Sequence, residues 1–414
     1  MRFMTRGRLV GAVLVITILA GAIFTARPYF RGLSFVVRAA DMQGSVRRFA
    51  DYGAAPVAQR ELQIPMASGT IAGRAYAPER PAARAVLLVP GLHASGIDES
   101  RLNELARQLA AGGVAVVIPD IPELRQFTIS PAITDAIEQS GSWLAAQSEL
   151  APDGRVGLMG IGFSGGLTLV AAGRPNLKDH VAFVSSLGGH DDLARVFKYL
   201  CTGVEAPPPE SASPLTGLMQ QRNAAKTAGT ATSVATGWTP PPNENGAAIV
   251  LLSMADRIVP APQVEPLRDA IRHFLRTATL EGAEKERADE QLASLGSLSR
   301  TMPEPSATLF RYVTGRDIVH LGARLVPAIP AFGNASGLSP VRSPKPAAPV
   351  FLLHGTADNL IPAVEALHLT ATLRGATSTR MLLSSAVSGI DVGQPVAARD
   401  LMALGSFWGD ILRR

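Results

Sequence analysis

The chain has 414 residues, of which 47% are hydrophobic and 18% are charged; this composition supports a large core and excludes a wholly disordered protein. Its single cysteine, Cys201, excludes an internal disulfide framework, a thiolate zinc cluster and iron–sulfur ligation by this chain alone. The net charge of +5 comes from residues 1–48, which hold eight arginines and one acid, so the slightly acidic remainder argues against a nucleic-acid partner.

An uncharged apolar segment, residues 9–26, follows the basic residues 1–8. As a helix it would be about 27 Å long, close to the hydrocarbon thickness of a bilayer. The alternative is a cleaved signal peptide with small residues at Ala20–Ala22. Cleavage there would leave Ile23 and Phe24 at the new terminus, which favours an uncleaved transmembrane signal anchor. We therefore expect a single-pass membrane protein whose main domain lies outside the cytoplasm.

The interval 27–60 is interpreted as a juxtamembrane linker. Within it, residues 28–50 mix arginine with phenylalanine, leucine and valine, which suits either a segment on the membrane surface or an ordinary linker helix. Tyr29 and Phe30 are of the aromatic type that is enriched at membrane–water interfaces.

Short apolar runs alternate with helical patterns over residues 61–190 and 347–414, which we interpret as the core. Apolar runs without polar positions indicate strands buried on both faces, so the predicted fold class is α/β, with a mainly parallel sheet and helices on both faces. The predicted strands are 61–66, 70–77, 85–90, 114–119, 155–160, 181–187, 349–355 and 380–383. The predicted helices are 99–112, 131–148, one after the glycine-rich turn at 162–166, 362–374 and 396–412.

The interval 191–346 breaks this alternation. It begins with a helical pattern at 191–201, continues with a proline-rich loop at 203–246, and returns to helical patterns at 261–277, 283–296 and 308–325. We interpret the interval as a helical and loop insertion that covers one end of the sheet.

The strongest chemical signal is the pentapeptide Gly162-Phe163-Ser164-Gly165-Gly166, between a predicted strand and a predicted helix. In a tight strand-to-helix turn of this kind a serine hydroxyl is exposed at the edge of the sheet, and the glycines prevent clashes. The N–H groups at the start of the helix can stabilise a developing oxyanion. The alternative is a glycine-rich turn with an incidental serine.

On this turn the chain resembles the α/β-hydrolase superfamily, most closely its dienelactone hydrolase and serine-peptidase-like members. Two further segments carry the resemblance, 89–96 after the strand 85–90 and 354–362 after a late strand. The resemblance implies Ser164 as nucleophile and Asp358 as the triad acid. It also implies the N–H groups of Leu92 and Gly165 as the oxyanion donors, and it implies no cofactor and no metal.

The family's chain order places the catalytic histidine after the last strand, where this chain has Gly389. The best substitute for the base is His190, because it follows the strand 181–187 and should open on the same sheet edge as Ser164. His93 is a weaker candidate, and His354 and His368 suit structural or helical positions. His180, His273 and His320 are interpreted as surface or insertion residues.

Two functional hypotheses follow. The first is a membrane-anchored serine hydrolase that acts on a small carboxylic ester or related acyl substrate. The second is a hydrolase-fold protein that has lost catalysis and serves as a binding or scaffold module at the membrane. Substrate identity and oligomeric state are left open, because specificity in this fold depends on loops and insertions.

Overall fold

The computed structural model describes residues 26–82, 84–210, 241–278, 285–333, 335, 337–387 and 398–414. The predicted segment 9–26 therefore lies almost entirely outside the described residues, as do most of the proline-rich loop and Gly389. Among the helices of the described residues, none is both long enough and apolar enough to cross a membrane.

The eight strands form one sheet in the order β1-β2-β4-β3-β5-β6-β7-β8. β3 to β8 are parallel, and β2 runs antiparallel to both β1 and β4. The strands are β1 Val57–Met66, β2 Gly69–Pro78, β3 Ala85–Val89, β4 Ala115–Pro119, β5 Val156–Ile161, β6 Val181–Leu187, β7 Val350–Gly355 and β8 Thr379–Ser384. Strand β3 is buried at every position, as the apolar run predicts.

Helices cover both faces of the sheet. They are α1 (26–39), α2 Ser45–Asp51, α3 Ser100–Ala111, α4 Pro122–Arg125, α5 Pro131–Ala145, α6 Phe163–Ala172, α7 Leu193–Thr202, α8 Gly246–Ile258, α9 Ala261–Ala278, α10 Lys285–Leu298, α11 Ser306–Thr314, α12 Ile318–Leu325, α13 Ile329–Gly333, α14 Val364–Leu373 and α15 Ala398–Leu412. Short 3-10 turns are Gly96–Asp98, Lys178–His180, Ser299–Thr301, Val326–Ala328, Pro340–Arg342 and Ser385–Val387.

The core divides between the two faces because alternate strand residues point to opposite sides. On one face, Leu87 and Leu158 pack with α5, α6 and the helices between β6 and β7. On the other, Val86 and Met159 pack with α1, α3 and α15. The sheet with two helical layers confirms the predicted fold class.

The interpretation of 27–60 as a linker is wrong. Helix α1 belongs to the core, where the Phe35 ring lies 4.4 Å from the Trp408 ring of α15. A Cβ on Gly32 would lie 2.0 Å from the Gly405 carbonyl oxygen, so the two helix backbones are in close contact. Val57 begins an edge strand of the sheet. The arginines of α1 made it resemble a membrane-surface segment, but its apolar side is covered by α15.

Candidate active site

The turn between β5 and α6 is centred on Gly162. This residue has φ 59° and ψ −130°, a conformation that costs a residue with a side chain about 1–3 kcal/mol. A Cβ placed on Gly162 would meet no heavy atom of the described residues within 4 Å. The strained, outward-facing position that holds the nucleophile in a strand-to-helix elbow is therefore occupied here by glycine.

Ser164 is the second residue of α6 and is completely buried. Its Oγ donates a hydrogen bond of 2.6 Å to the Pro90 carbonyl oxygen, at the end of β3. This bond ties the first turn of α6 to the loop after β3. The assignment of Ser164 as an exposed nucleophile is wrong in this conformation, because the hydroxyl points into the protein and its proton is already donated.

The close packing beneath the turn explains which residues are small. A Cβ on Gly160 would lie 2.4 Å from the Ser164 carbonyl oxygen and 2.5 Å from Thr168 Oγ1. Gly160 and Ser164 thus occupy the crowded positions on either side of Gly162. The pattern that fits the backbone is Gly160-x-Gly162-x-Ser164, two residues before the pentapeptide singled out in the sequence.

Because the elbow position is Gly162 and not Ser164, the residue whose N–H could serve as an oxyanion donor also changes. The Gly165 N–H donates to the Gly162 carbonyl oxygen at 2.8 Å, so it is used within the turn. The N–H of the residue after the elbow position belongs to Phe163, the first residue of α6, and has no partner within the helix. Leu92 lies in the adjacent loop, where a Cβ on Gly91 would be 3.5 Å from the Ile161 carbonyl oxygen. Leu92 therefore lies in the loop beside the elbow, and its role as an oxyanion donor stays a prediction. The prediction for Gly165 is wrong, because its N–H is donated within the turn.

Asp358 follows β7 on the same edge of the sheet. A Cβ on Gly188, at the end of the neighbouring strand β6, would lie 3.3 Å from Asp358 Oδ2. Its Oδ1 accepts hydrogen bonds of 2.9 Å from the N–H groups of Leu360 and Ile361. One oxygen therefore holds the local turn, and the other lies toward Gly188 at the end of β6.

His190 does not act on Ser164. It is completely buried, and its Nε2 donates to the Leu338 carbonyl oxygen at 2.8 Å. A Cβ on Gly166 would lie 2.5 Å from His190 Nδ1, so the ring packs against the backbone of α6. Burial lowers its pKa and favours the neutral imidazole. The assignment of His190 as the base is wrong because its donor nitrogen is bonded elsewhere and its other nitrogen faces the helix.

The other six histidines also lie in the described residues, and none forms a hydrogen bond with Ser164. His354 Nε2 donates to the Ile361 carbonyl oxygen at 2.8 Å and lies 3.7 Å from Asp358 Oδ2. His368 Nε2 contacts the Pro207 carbonyl oxygen at 3.1 Å. His93 Nδ1 accepts from the Ser95 N–H at 3.2 Å. The described chain thus supplies no imidazole that could activate Ser164.

A buried ion cluster, which the sequence did not reveal, fixes the segment after His190. Arg195 Nε donates to Glu365 Oε1 at 2.5 Å, and Arg195 Nη2 lies 3.1 Å from Asp191 Oδ2. Burial and the Glu365 charge raise the pKa of Asp191. Asp192 caps helix α7 by accepting from the Ala194 N–H. These acids therefore anchor α7 to α14.

The insertion covers the sheet edge near Asp358. The Asn243 N–H donates to the Asn359 carbonyl oxygen at 2.8 Å, and Tyr199 of α7 is buried close by. Burial, together with the charges of Glu205 and Asp358, raises the pKa of Tyr199, which stays a neutral phenol. Among the described residues, no group of three or more His, Cys, Asp or Glu side chains could hold a metal ion.

No protein-family model matches the chain, and no curated protein matches it. Solved structures resemble it at low identity. A Pyrobaculum calidifontis esterase is 13% identical, with 94% of this chain and 93% of that chain covered and a TM-score of 0.42. The order and direction of the eight strands place the described chain in the α/β class, with a mainly parallel sheet.

Two further structures have the same kind of likeness. A rice cell wall degrading esterase from Xanthomonas oryzae is 15% identical, with coverages of 86% of this chain and 89% of that chain and a TM-score of 0.41. An acylaminoacyl peptidase from Pyrococcus horikoshii is 10% identical, with 82% of this chain and 39% of that chain covered and a TM-score of 0.38. At these identities and TM-scores the likeness transfers no activity to this chain.

Proposed function

We propose that this protein is a catalytically impaired α/β-hydrolase-fold protein that binds a ligand at the elbow edge of its sheet. The observation that carries the proposal is Gly162, which holds the strained elbow conformation without a side chain and has no heavy atom of the described residues within 4 Å of a Cβ placed on it. The Ser164 hydroxyl is donated to the Pro90 carbonyl, and no imidazole is bonded to it. Covalent acyl transfer requires a nucleophile with an adjacent base, and neither is in place.

The proposed ligand is a small acyl or ester compound. Phe163 begins helix α6, and its free N–H lies at the positive end of the helix dipole. With the Leu92 loop beside it, this N–H can bind a carbonyl or carboxylate oxygen without chemical reaction. We further propose that residues 9–26 anchor the protein in a membrane, with the main domain outside the cytoplasm. Extraction of membranes at high pH and protease protection of intact cells test these two points.

The second candidate is a serine hydrolase of carboxylic esters with Ser164 as nucleophile. The hydrolase-like fold and the position of Asp358 after β7 favour it. This candidate requires the first turn of α6 to rearrange so that Ser164 leaves the Pro90 carbonyl and reaches the surface.

A fluorophosphonate probe separates the two candidates. The full-length protein and its Ser164→Ala variant are treated together, with a known esterase as positive control. We expect no labelling of either form. Labelling of the wild type that disappears in Ser164→Ala would overturn the proposal and establish the second candidate.

A rescue experiment tests whether the site lacks only the side chains of a nucleophile and a base. We expect no esterase activity from Gly389→His alone, because the elbow would still lack a nucleophile. Gly162→Ser combined with Gly389→His should raise ester hydrolysis at least tenfold above wild type, and Gly162→Ala with Gly389→His is the matched control. Activity in Gly389→His that depends on Ser164 would contradict the shifted register.

A further inference from the structure

The exposed aromatic side chains of the described chain lie together on helices α1 and α2. Phe30, Phe49 and Tyr52 are 49%, 60% and 90% exposed, whereas every other aromatic side chain of the described residues is buried or half-buried. The ring centroids of Phe30 and Phe49 lie 6.5 Å apart, so the two helices present these rings on one surface. Val46, about one turn before Phe49 in α2, is also exposed. We call these four side chains the aromatic face.

The fold fixes the opposite side of α2. Ala50 is buried, and its carbonyl oxygen accepts a hydrogen bond of 2.6 Å from Arg38 Nη1 of α1. Arg38 Nε also donates to Gln108 Oε1 of α3 at 2.9 Å. After α2, the Ala55 N–H donates to the Ala111 carbonyl oxygen at 3.0 Å. Because α2 is held on its inner side, the aromatic rings on its outer side are kept in water by the structure itself.

Positive charge borders the aromatic face. Helices α1 and α2, with the turn between them, hold five arginines and two aspartates. Arg47 pairs with both acids, at 2.9 Å from Asp41 and 3.0 Å from Asp51. Arg27 and Arg48 are exposed, and neither forms an ion pair with a described carboxylate. Two cations are therefore left to interact with a partner of negative charge.

The aromatic face also lies where the predicted membrane segment ends. Residues 9–26 lead directly into α1, and Phe30 follows residue 26 by four positions, about 6 Å along a helix. Aromatic side chains are enriched at membrane–water interfaces, and a basic residue near an anionic lipid surface contributes about 1 kcal/mol. A bilayer therefore suits this face in position, in apolar surface and in charge.

We propose that the aromatic face lies in the head-group layer of the membrane, with Arg27 and Arg48 on lipid phosphates. Transfer of the exposed rings out of water stabilises this contact. The inference rests on the proposed anchor at residues 9–26 and adds a second contact, made by the folded domain.

This contact orients the domain. Arg31 Nη2 donates to the Gly112 carbonyl oxygen, and Ala55 donates to Ala111, so α1 and α2 are both tied to the chain just before β4 begins. The contact is thus near the amino ends of the parallel strands, whereas Gly162 follows the carboxyl end of β5. The elbow edge then faces away from the bilayer, and its ligand enters from water.

Fluorescence quenching by lipids tests the proposal on the full-length protein in vesicles of phosphatidylcholine and phosphatidylglycerol. A bimane is attached to Tyr52→Cys, and a lipid with a nitroxide on its head group is the quencher. The native Cys201 is buried. The matched control is Val319→Cys, another exposed apolar position, at 78% exposure, on α12. We expect quenching at Tyr52→Cys to be at least about threefold that at Val319→Cys.

A second set of variants tests whether the aromatic side chains hold the contact. With the bimane on Val46→Cys, Phe49→Ser with Tyr52→Ser should abolish most of the quenching. The control removes two exposed apolar side chains elsewhere, Val204→Ser with Val319→Ser, and should keep it. Arg27→Gln with Arg48→Gln should weaken the quenching in these vesicles. Melting curves check that each variant is folded.

Flotation of the vesicles separates failure of the anchor from failure of the contact. Protein that floats with the vesicles, but shows equal quenching at Tyr52→Cys and Val319→Cys, would keep the anchor and overturn the contact. Protein that does not float would overturn both. A bimane on Tyr52→Cys that is shielded from aqueous iodide but not quenched by the lipid nitroxide would mean that a second copy or another protein covers the face, and would also overturn the proposal.

Discussion

The two edges of the parallel sheet differ in what their backbone and side chains provide. At the carboxyl ends of the strands, the elbow keeps its strained backbone but has no side chain at Gly162. At the amino ends, five arginines (Arg27, Arg31, Arg84, Arg413 and Arg414) surround a pocket whose apolar side chains are buried core residues. The comparison shows that a hydrolase-type turn can be maintained by packing alone, through Gly160, Ser164 and the Pro90 carbonyl. The shape of the turn is therefore not evidence for a nucleophile.

The largest effect is expected from Gly32→Ala, which tests the packing of α1 against α15. The new methyl group would lie 2.0 Å from the Gly405 carbonyl oxygen, so α1 would have to leave α15. We expect a loss of about 3 kcal/mol or more in the free energy of unfolding. The control is Gly296→Ala in α10, where a Cβ meets no described heavy atom within 4 Å and helix propensity improves. Equal melting temperatures for the two variants would show that α1 is not part of the core.

The elbow is tested by comparing Gly160→Ala with Gly162→Ala. The first puts a methyl group 2.4 Å from the Ser164 carbonyl oxygen, and we expect it to cost about 3 kcal/mol. The second meets no heavy atom of the described residues, and its positive φ should cost about 1–3 kcal/mol. Chemical denaturation of both variants measures the difference. A larger loss for Gly162→Ala would place the crowded position elsewhere in the turn.

Ser164→Ala removes the bond to the Pro90 carbonyl and leaves a buried acceptor without its donor. We expect it to lower the free energy of unfolding by about 1–3 kcal/mol. Ligand binding at the elbow should persist, because the hydroxyl is buried and donates to the Pro90 carbonyl oxygen. Unchanged stability combined with lost binding would assign Ser164 to the site rather than to the packing beneath it.

The smallest expected effect is a dependence of stability on pH. Burial lowers the pKa of His190 in the folded protein, whereas in the unfolded chain it takes up a proton near pH 6.5. The contribution of neutral His190 to the free energy of unfolding is therefore fully present above about pH 6.5. It falls as the pH is lowered, by at most about 1.4 kcal/mol per pH unit. Burial also lowers the pKa of His368, which adds in the same direction.

Unfolding of wild type and His190→Gln between pH 7 and pH 5 measures this contribution. Glutamine can still donate to the Leu338 carbonyl but does not titrate, so the variant should lose less stability than wild type as the pH falls. Parallel curves for the two proteins would mean that His190 is not held neutral by burial.

Most of the fold could be predicted from the sequence, because the central strands are buried on both faces and appear as unbroken apolar runs. All eight strands lie within a few residues of their predicted positions. Two errors have physical causes. The pattern at 308–325 predicts one helix, whereas the structure has two, α11 and α12, with Arg316 at φ 52° between them. The arginines of helix α1 favour a surface position in the sequence, whereas its apolar side, with Phe35, packs on Trp408 in the structure.

The site could be predicted only to the level of the turn. Gly160, Gly162, Gly165 and Gly166 allow two registers for an elbow, and residue types alone do not distinguish them. The end of β5 at Ile161 and the positive φ of Gly162 select one. Distances to the histidines depend on the ends of β6 and β7 and on the insertion, which no local pattern encodes.

Cysteine labelling tests the central claim most directly. The native Cys201 is buried, and burial raises the pKa of its thiol to about 12, so it should not react with a maleimide at neutral pH. We predict that Gly162→Cys in the full-length protein reacts rapidly, whereas Ser164→Cys remains as unreactive as wild type until the protein is unfolded. Rapid labelling of Ser164→Cys together with protection of Gly162→Cys would contradict the account.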